Sequence, residues 1–142
     1  MSDIPIISMW QPWAQWVSLE WKTIESRLHD RFKSLEGRRI GIHASLKWDS
    51  NWLMAASEFL TYEQRNRTLE FKRILHPAVI CTAMVSSYGR LTPEESKWAL
   101  IECVTPRFGL WLRDVELLDP PIQCKGRQGI FYVQQTSQRE TK

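Results

Sequence analysis

Six consecutive residues, Lys22-Thr23-Ile24-Glu25-Ser26-Arg27, bring an amine, a carboxylate and a guanidinium together. Side chains alternate along an extended chain, so a strand here places Thr23, Glu25 and Arg27 on one face. Arg27 offers a rigid fork of donors for a phosphate or a base edge, Lys22 a mobile point charge, and Glu25 an acceptor for an exocyclic amine or a partner for either cation. Such a set suits recognition of a flat polar group. The competing reading is a structural ion pair between Glu25 and Arg27. If the chain is an enzyme, Lys22 and Glu25 are its candidate general acid and base, and a carboxylate this close to Lys22 is expected to keep the amine charged. No other residue is assigned a catalytic role.

Other chemistry-bearing residues are scattered. Lys125, Arg127 and Gln128 sit in a glycine-bounded loop, where they are either solvated or in contact with phosphate and base. His43, at the end of an apolar run, reads as a hydrogen-bonded packing residue before it reads as an acid or base, and His76 before Pro77 reads as a loop residue. The three histidines and the cysteines Cys81, Cys103 and Cys124 lack metal-ligand spacing, so no metal and no cofactor are expected. No GxSxG elbow, phosphate-cradling glycine loop or HExxH helix is present in the sequence. The eight tryptophans serve either a core or base stacking.

The elements that must position these groups follow from patterning. Ile4–Met9 reads as a strand. Pro12 suits the first turn of a helix that carries Trp13, Trp16 and Val17 on one apolar face and ends near Glu20 or Trp21. Strands are expected at Thr23–Leu28, Arg38–Ala44, Ala78–Val85, Phe108–Val115 and Gly129–Val133. Asp49 or Ser50 can cap a helix through Trp52, Leu53, Ala56 and Leu60, followed by a basic helical stretch to about Leu75, and Thr92-Pro93-Glu94-Glu95 has the form of a capping box. Trp13, Trp16, Trp48 and Trp52 are expected to pack. Gln134–Lys142 is polar without apolar periodicity and reads as a flexible tail behind one domain over 1–133.

Three runs now carry a resemblance: Ser8-Met9-Trp10-Gln11-Pro12-Trp13-Ala14, Lys22-Thr23-Ile24-Glu25-Ser26-Arg27 and Ile42-His43-Ala44-Ser45. Together they resemble the activating signal cointegrator homology (ASCH) family, whose signature GxKxxExR lies within a PUA-like β-barrel. Lys22, Glu25 and Arg27 match the signature, while its glycine falls on Glu20, so the turn before Lys22 is made without it. Trp111-Leu112-Arg113-Asp114-Val115, Pro120-Pro121 and Lys125–Phe131 are similar to the closing strands of that family, which extends the resemblance over nearly the whole chain. Small amidohydrolases among such relatives use a Thr three residues after the Lys, and here that position is Glu25.

The resemblance implies an α+β fold, a small PUA-like mixed β-barrel decorated by helices. It also implies a nucleic-acid-binding domain, RNA-binding before DNA-binding, whose basic and aromatic cleft holds phosphate and an unpaired or modified base. The residues implied for that cleft are Trp10, Gln11, Lys22, Glu25, Arg27, His43, Ser45, Trp111, Lys125, Arg127 and Gln128. A ribonuclease or modified-nucleoside amidohydrolase on the same scaffold is the alternative.

Bulk properties agree. A chain of 142 residues with 43% hydrophobic and 25% charged residues is one globular domain's worth, and a formal net charge of +3 allows a polyanionic partner. No apolar run reaches the ~18 residues of a membrane span, and Met1-Ser2-Asp3 does not open like a secretory signal. A cytoplasmic protein without a membrane partner is expected.

Overall fold

The computed structural model describes residues 3–71, 73–74 and 76–133. Five strands carry the fold: β1 (Ile6–Gln11), β2 (Ile24–Arg27), β3 (Arg39–Trp48), β4 (Ala78–Arg90) and β5 (Phe108–Gln123). Between them run α1 (Trp13–Ser18), α2 (Trp52–Ala56), α3 (Tyr62–Leu69) and α4 (Ser96–Ala99), with 3-10 turns at Lys33–Leu35, Ser57–Phe59 and Pro93–Glu95. The strand order is β1-β3-β4-β5-β2. β1 lies parallel to β3, and every other pair is antiparallel.

This is the expected mixed α+β architecture, but the sheet is not a closed barrel. β1 and β2 are its two edges, and they are not paired with each other. The expected strand over Gly129–Val133 contributes a single bridge, Phe131 to Ile6, because Gly129 takes φ +73 and turns the chain there. Across the gap between the edges, Arg27 Nη2 on β2 donates to the Ser8 carbonyl on β1 at 3.1 Å. The edges therefore approach each other without forming a ladder.

The interior follows the apolar pattern. Ile7 and Met9 of β1, Ile40 and Ile42 of β3, Cys81, Ala83 and Val85 of β4, and Leu110 and Leu112 of β5 form one core against Ala14 and Val17 of α1. Trp16, Trp52, Ala56, Leu60 and Leu100 form a second core beside it. Trp13 and Trp16 meet edge-to-face at 4.8 Å, and Trp16 meets Trp52 in the same way at 5.9 Å, the geometry that aromatic quadrupoles prefer. The Trp16 indole N–H donates to Thr68 Oγ1, so α3 is tied to this cluster.

The helices differ in detail from their sequence signals. Pro12 precedes α1 rather than opening it, and the helix stops at Ser18. Asp49 does not cap α2, which begins after Asn51, because its carboxylate is engaged by the Trp13 indole and the Asn51 amide. α3 begins at a Thr61–Gln64 capping box and ends at Leu69, short of Leu75, which lies outside the described residues, as does Lys72. The Thr92–Glu95 capping box is present as expected. The expected tail, 134–142, lies outside the described residues.

Candidate functional site at the seam of the sheet

The turn into the site solves the missing-glycine problem directly. Glu20 adopts φ 64, the left-handed conformation that glycine takes at least cost. After it, the Lys22 and Trp21 amides both donate to the Trp16 carbonyl, and the Thr23 amide donates to the Trp98 carbonyl of α4. Lys22 is thereby turned inward and is only 2% exposed. Its Nζ donates to the Ala99 carbonyl, faces Glu25 Oε1 at 3.5 Å and lies over the Trp13 ring at 5.3 Å.

On β2, the alternation puts Glu25 and Arg27 on one face, and Arg27 Nε donates to Glu25 Oε2 at 2.8 Å. Glu25 is thus a buried carboxylate, 7% exposed, between two cations. The ion-pair reading is realised, and the three groups also converge on a cleft of about 280 Å³ along the seam. Burial pushes the Lys22 amine below its ordinary range, outweighing Glu25, which pulls the other way, and Arg27 adds to the lowering. Lys22 is therefore not an ordinary surface-like cation: removal from water costs its charged form more than one shared carboxylate returns.

Several groups in the cleft were not signalled locally. Ser8 of β1, Ser26 of β2, Asp49 after β3 and Arg107 before β5 all line it. Arg107 Nη1 donates to Ser26 Oγ at 3.1 Å, while its buried Nε has no partner among the described residues. Trp13, expected to be core, packs against both apolar clusters and also forms a cleft wall, with its N–H on Asp49 Oδ2 at 2.9 Å. Ser8 opens one of the runs that carry the family resemblance, so its position was within reach of the sequence, although no site role was assigned to it. Arg107 lies in no recognisable motif.

A second, larger groove of about 630 Å³ adjoins the first and shares Ser8, Trp10 and Arg27 with it. It is lined in addition by His29, Arg31, His43, Ser45, Lys47, Arg127 and Gln128, with no carboxylate among its lining residues. Trp10 stands 48% exposed at the junction, with Lys47 Nζ over its ring at 4.5 Å. His43 is fully buried at the groove's base, with Nε2 on the Cys124 carbonyl at 2.8 Å and Nδ1 on Ser8 Oγ at 3.0 Å. Burial holds its pKa below the usual histidine value, with the Cys124 bond acting against this.

Of the expected site residues, Trp10, Lys22, Glu25 and Arg27 meet in the seam cleft, and His43, Ser45, Arg127 and Gln128 meet in the adjoining groove. Three do not arrive. Trp111 packs against the cluster of Ile24, Leu91, Ala99 and Cys103. Gln11 is buried and its Oε1 accepts from the Gln15 amide, which ties it to the start of α1. Lys125 is exposed and lines neither cleft. The cysteine thiols Cys81 and Cys124 are inert by environment, burial pushing Cys81 up to about 12 and Cys124 upward as well. Among the described residues no cluster of three or more His, Cys, Asp or Glu could hold a metal ion, and no helix is long and apolar enough to cross a membrane.

No protein-family model and no curated protein match the chain in sequence. Among solved structures, the ASCH protein of Zymomonas mobilis aligns over 99% of this chain and 94% of its own, at 14% identity and a TM-score of 0.60. A serine-to-alanine variant of that protein aligns over the same shares at 15% identity and a TM-score of 0.57. A tyrosine-to-phenylalanine variant aligns over 96% of this chain and 94% of its own, at 14% identity and 0.55. Backbone path rather than residue identity carries this likeness, and it spans the strands, the inserted helices and the seam between the edges: the chain has the ASCH-domain fold.

Proposed function

We propose that the seam binds one unpaired nucleotide of a single-stranded nucleic acid, RNA before DNA, with the base in the smaller cleft and flanking phosphates in the basic groove. The observation that carries this reading is the continuity of the two spaces. A polar cleft of about 280 Å³ with an aromatic wall opens beside a groove edged by Arg27, Arg31, Lys47 and Arg127, and Trp10 stands where they join. Exposed aromatic faces stack bases, and guanidinium and ammonium groups hold phosphate.

Anisotropy titration with single-stranded RNA tests it. Raising salt from about 50 to 200 mM should weaken binding roughly tenfold, the response for two or three neutralised phosphates. Arg27→Ala should weaken it by about tenfold or more, the loss of one charge-assisted contact. Salt-indifferent binding, or none, overturns the proposal.

The depressed Lys22 amine favours one second reading, a hydrolase of modified nucleosides or of RNA with Lys22 as base. Against it, Lys22 is buried and its protons are committed to the Ala99 carbonyl and Glu25. Turnover of an N-acylated cytidine or of RNA that disappears in Lys22→Ala would place the hydrolase first.

A further inference from the structure

Ser8 and His43 are cross-strand neighbours in the β1–β3 ladder, so their side chains share a face. The Cys124 carbonyl, 2.8 Å from His43 Nε2, can only accept a hydrogen bond, which fixes the proton of the neutral ring on Nε2. Nδ1 then carries a lone pair. The 3.0 Å contact to Ser8 must therefore be donated by the Ser8 hydroxyl, and that commits its single proton inward. What Ser8 Oγ retains toward the clefts is acceptor capacity alone, and among the described residues no side chain donates to it. By contrast, the Glu25 and Asp49 carboxylates in the same cleft are already engaged, by Lys22 and Arg27 and by Trp13 and Asn51.

We propose that Ser8, polarised by His43, is the acceptor that reads a ligand N–H, so that the cleft prefers an amino-bearing nucleobase edge to a keto edge. The inference rests on the nucleotide-binding reading above and adds to it the class of base. Uracil presents a carbonyl where cytosine presents an amine, and against Ser8 the carbonyl would set two acceptors facing each other. A site built around a committed group rejects the mismatched ligand because a polar atom is left unpaired.

The surroundings keep the commitment in place. The Phe131 ring stands edge-on to His43 at 5.7 Å, and Gly126 comes so close that an added Cβ would lie 2.7 Å from His43 Cε1 and 3.0 Å from Ser8 Oγ. The charged and titratable groups that share the groove with His43 are Arg27 and His29 from β2 and the chain after it, Arg31, Lys47 of β3 and Arg127 beyond β5, all of them basic. None offers an imidazolium a counter-charge. Ser8 itself is held from behind by Arg27, which bonds its carbonyl.

Two measurements on the whole chain test the proposal: binding of an oligouridine heptamer against an oligocytidine heptamer, and the 15N spectrum of the histidine rings. Wild type should bind the cytidine heptamer about three- to tenfold more tightly, the range for one net hydrogen bond. Ser8→Ala should bind the two alike, its hold on the uridine heptamer showing that the cleft survives, and His43 should carry its proton on Nε2. Equal and salt-dependent binding of both heptamers by wild type, a preference that persists in Ser8→Ala, or a proton on Nδ1 overturns this inference and leaves the nucleotide reading standing. Failure to bind either heptamer overturns both.

Discussion

Glu25→Gln should cost more stability than Lys22→Met, although the two residues form one ion pair. Glu25 Oε2 takes the Arg27 Nε bond at 2.8 Å while Oε1 faces Lys22 Nζ at 3.5 Å, so removing its charge orphans two cations. Arg27, with 24% of its side chain exposed, keeps part of its hydration, but Lys22 at 2% does not. Breaking a buried pair from one side costs about 3–5 kcal/mol. The lower end applies here, about 3 kcal/mol, because Gln still accepts from Arg27 and Lys22 can shed its proton. Met at position 22 keeps an unbranched stem against Trp13, removes a charge whose burial is unfavourable, and leaves Glu25 bonded to Arg27. Its loss is the Ala99 bond and one side of the pair, about 1–2 kcal/mol. At about 2–4 °C per kcal/mol for a chain of this size, the two variants should melt several degrees apart. Urea unfolding at pH 7 followed by tryptophan emission gives the comparison, with unchanged slopes as the check on two-state behaviour. Lys22→Met as costly as Glu25→Gln, or both within about 0.5 kcal/mol of wild type as surface pairs are, would refute the reasoning. The pH dependence has a definite sign. With its pKa lowered in the folded state, Lys22 gives up its proton before the unfolded chain does, so wild type gains on Lys22→Met as pH rises from that lowered pKa toward 10.5.

Two further outcomes follow from single residues. Glu20→Gly should stabilise by about 0.5–1 kcal/mol, since relief of a left-handed side chain exceeds the added unfolded-state entropy, and a lower melting temperature would show that φ 64 is not strained. For His43, the folded pKa lies below the unfolded value of 6.5, so the unfolded chain binds the proton first. Its contribution is present above pH ~6.5 and lost as pH falls toward the folded pKa, so the urea midpoint of wild type should drop relative to His43→Gln between pH 7 and 5.5. A constant difference between the two proteins would show that His43 does not titrate there.

Local chemistry was legible in the sequence because it needs only local geometry. Glu25 and Arg27 fall on one face of any strand drawn through them, and Lys22 stands one tight turn away, so their meeting required no knowledge of the rest of the chain. The burial that lowers the Lys22 pKa was not legible, because it depends on how deeply α4 covers the turn, and only the Trp98 and Ala99 carbonyls reveal that. Trp13 packs as its helical spacing implies, but that spacing does not say where the core ends, and this indole also forms a cleft wall. Ser8, Asp49 and Arg107 come from three separated stretches that meet only across the seam, so no spacing in the sequence joins them.

The open barrel and the candidate site are one structural fact. A sheet edge leaves backbone groups that a neighbouring strand would otherwise pair, and a protein must satisfy or cover them. At this seam a side chain does so: Arg27 reaches from β2 to the Ser8 carbonyl of β1, where a closed barrel would place a ladder bond. A guanidinium in that position must be charge-balanced, which Glu25 does, and Glu25 in turn is flanked by the buried Lys22. The polar groups that substitute for strand pairing are therefore the same groups that give the cleft its donors and acceptors. Closing the barrel with a β1–β2 ladder would remove the need for them and the space in which they could meet a ligand.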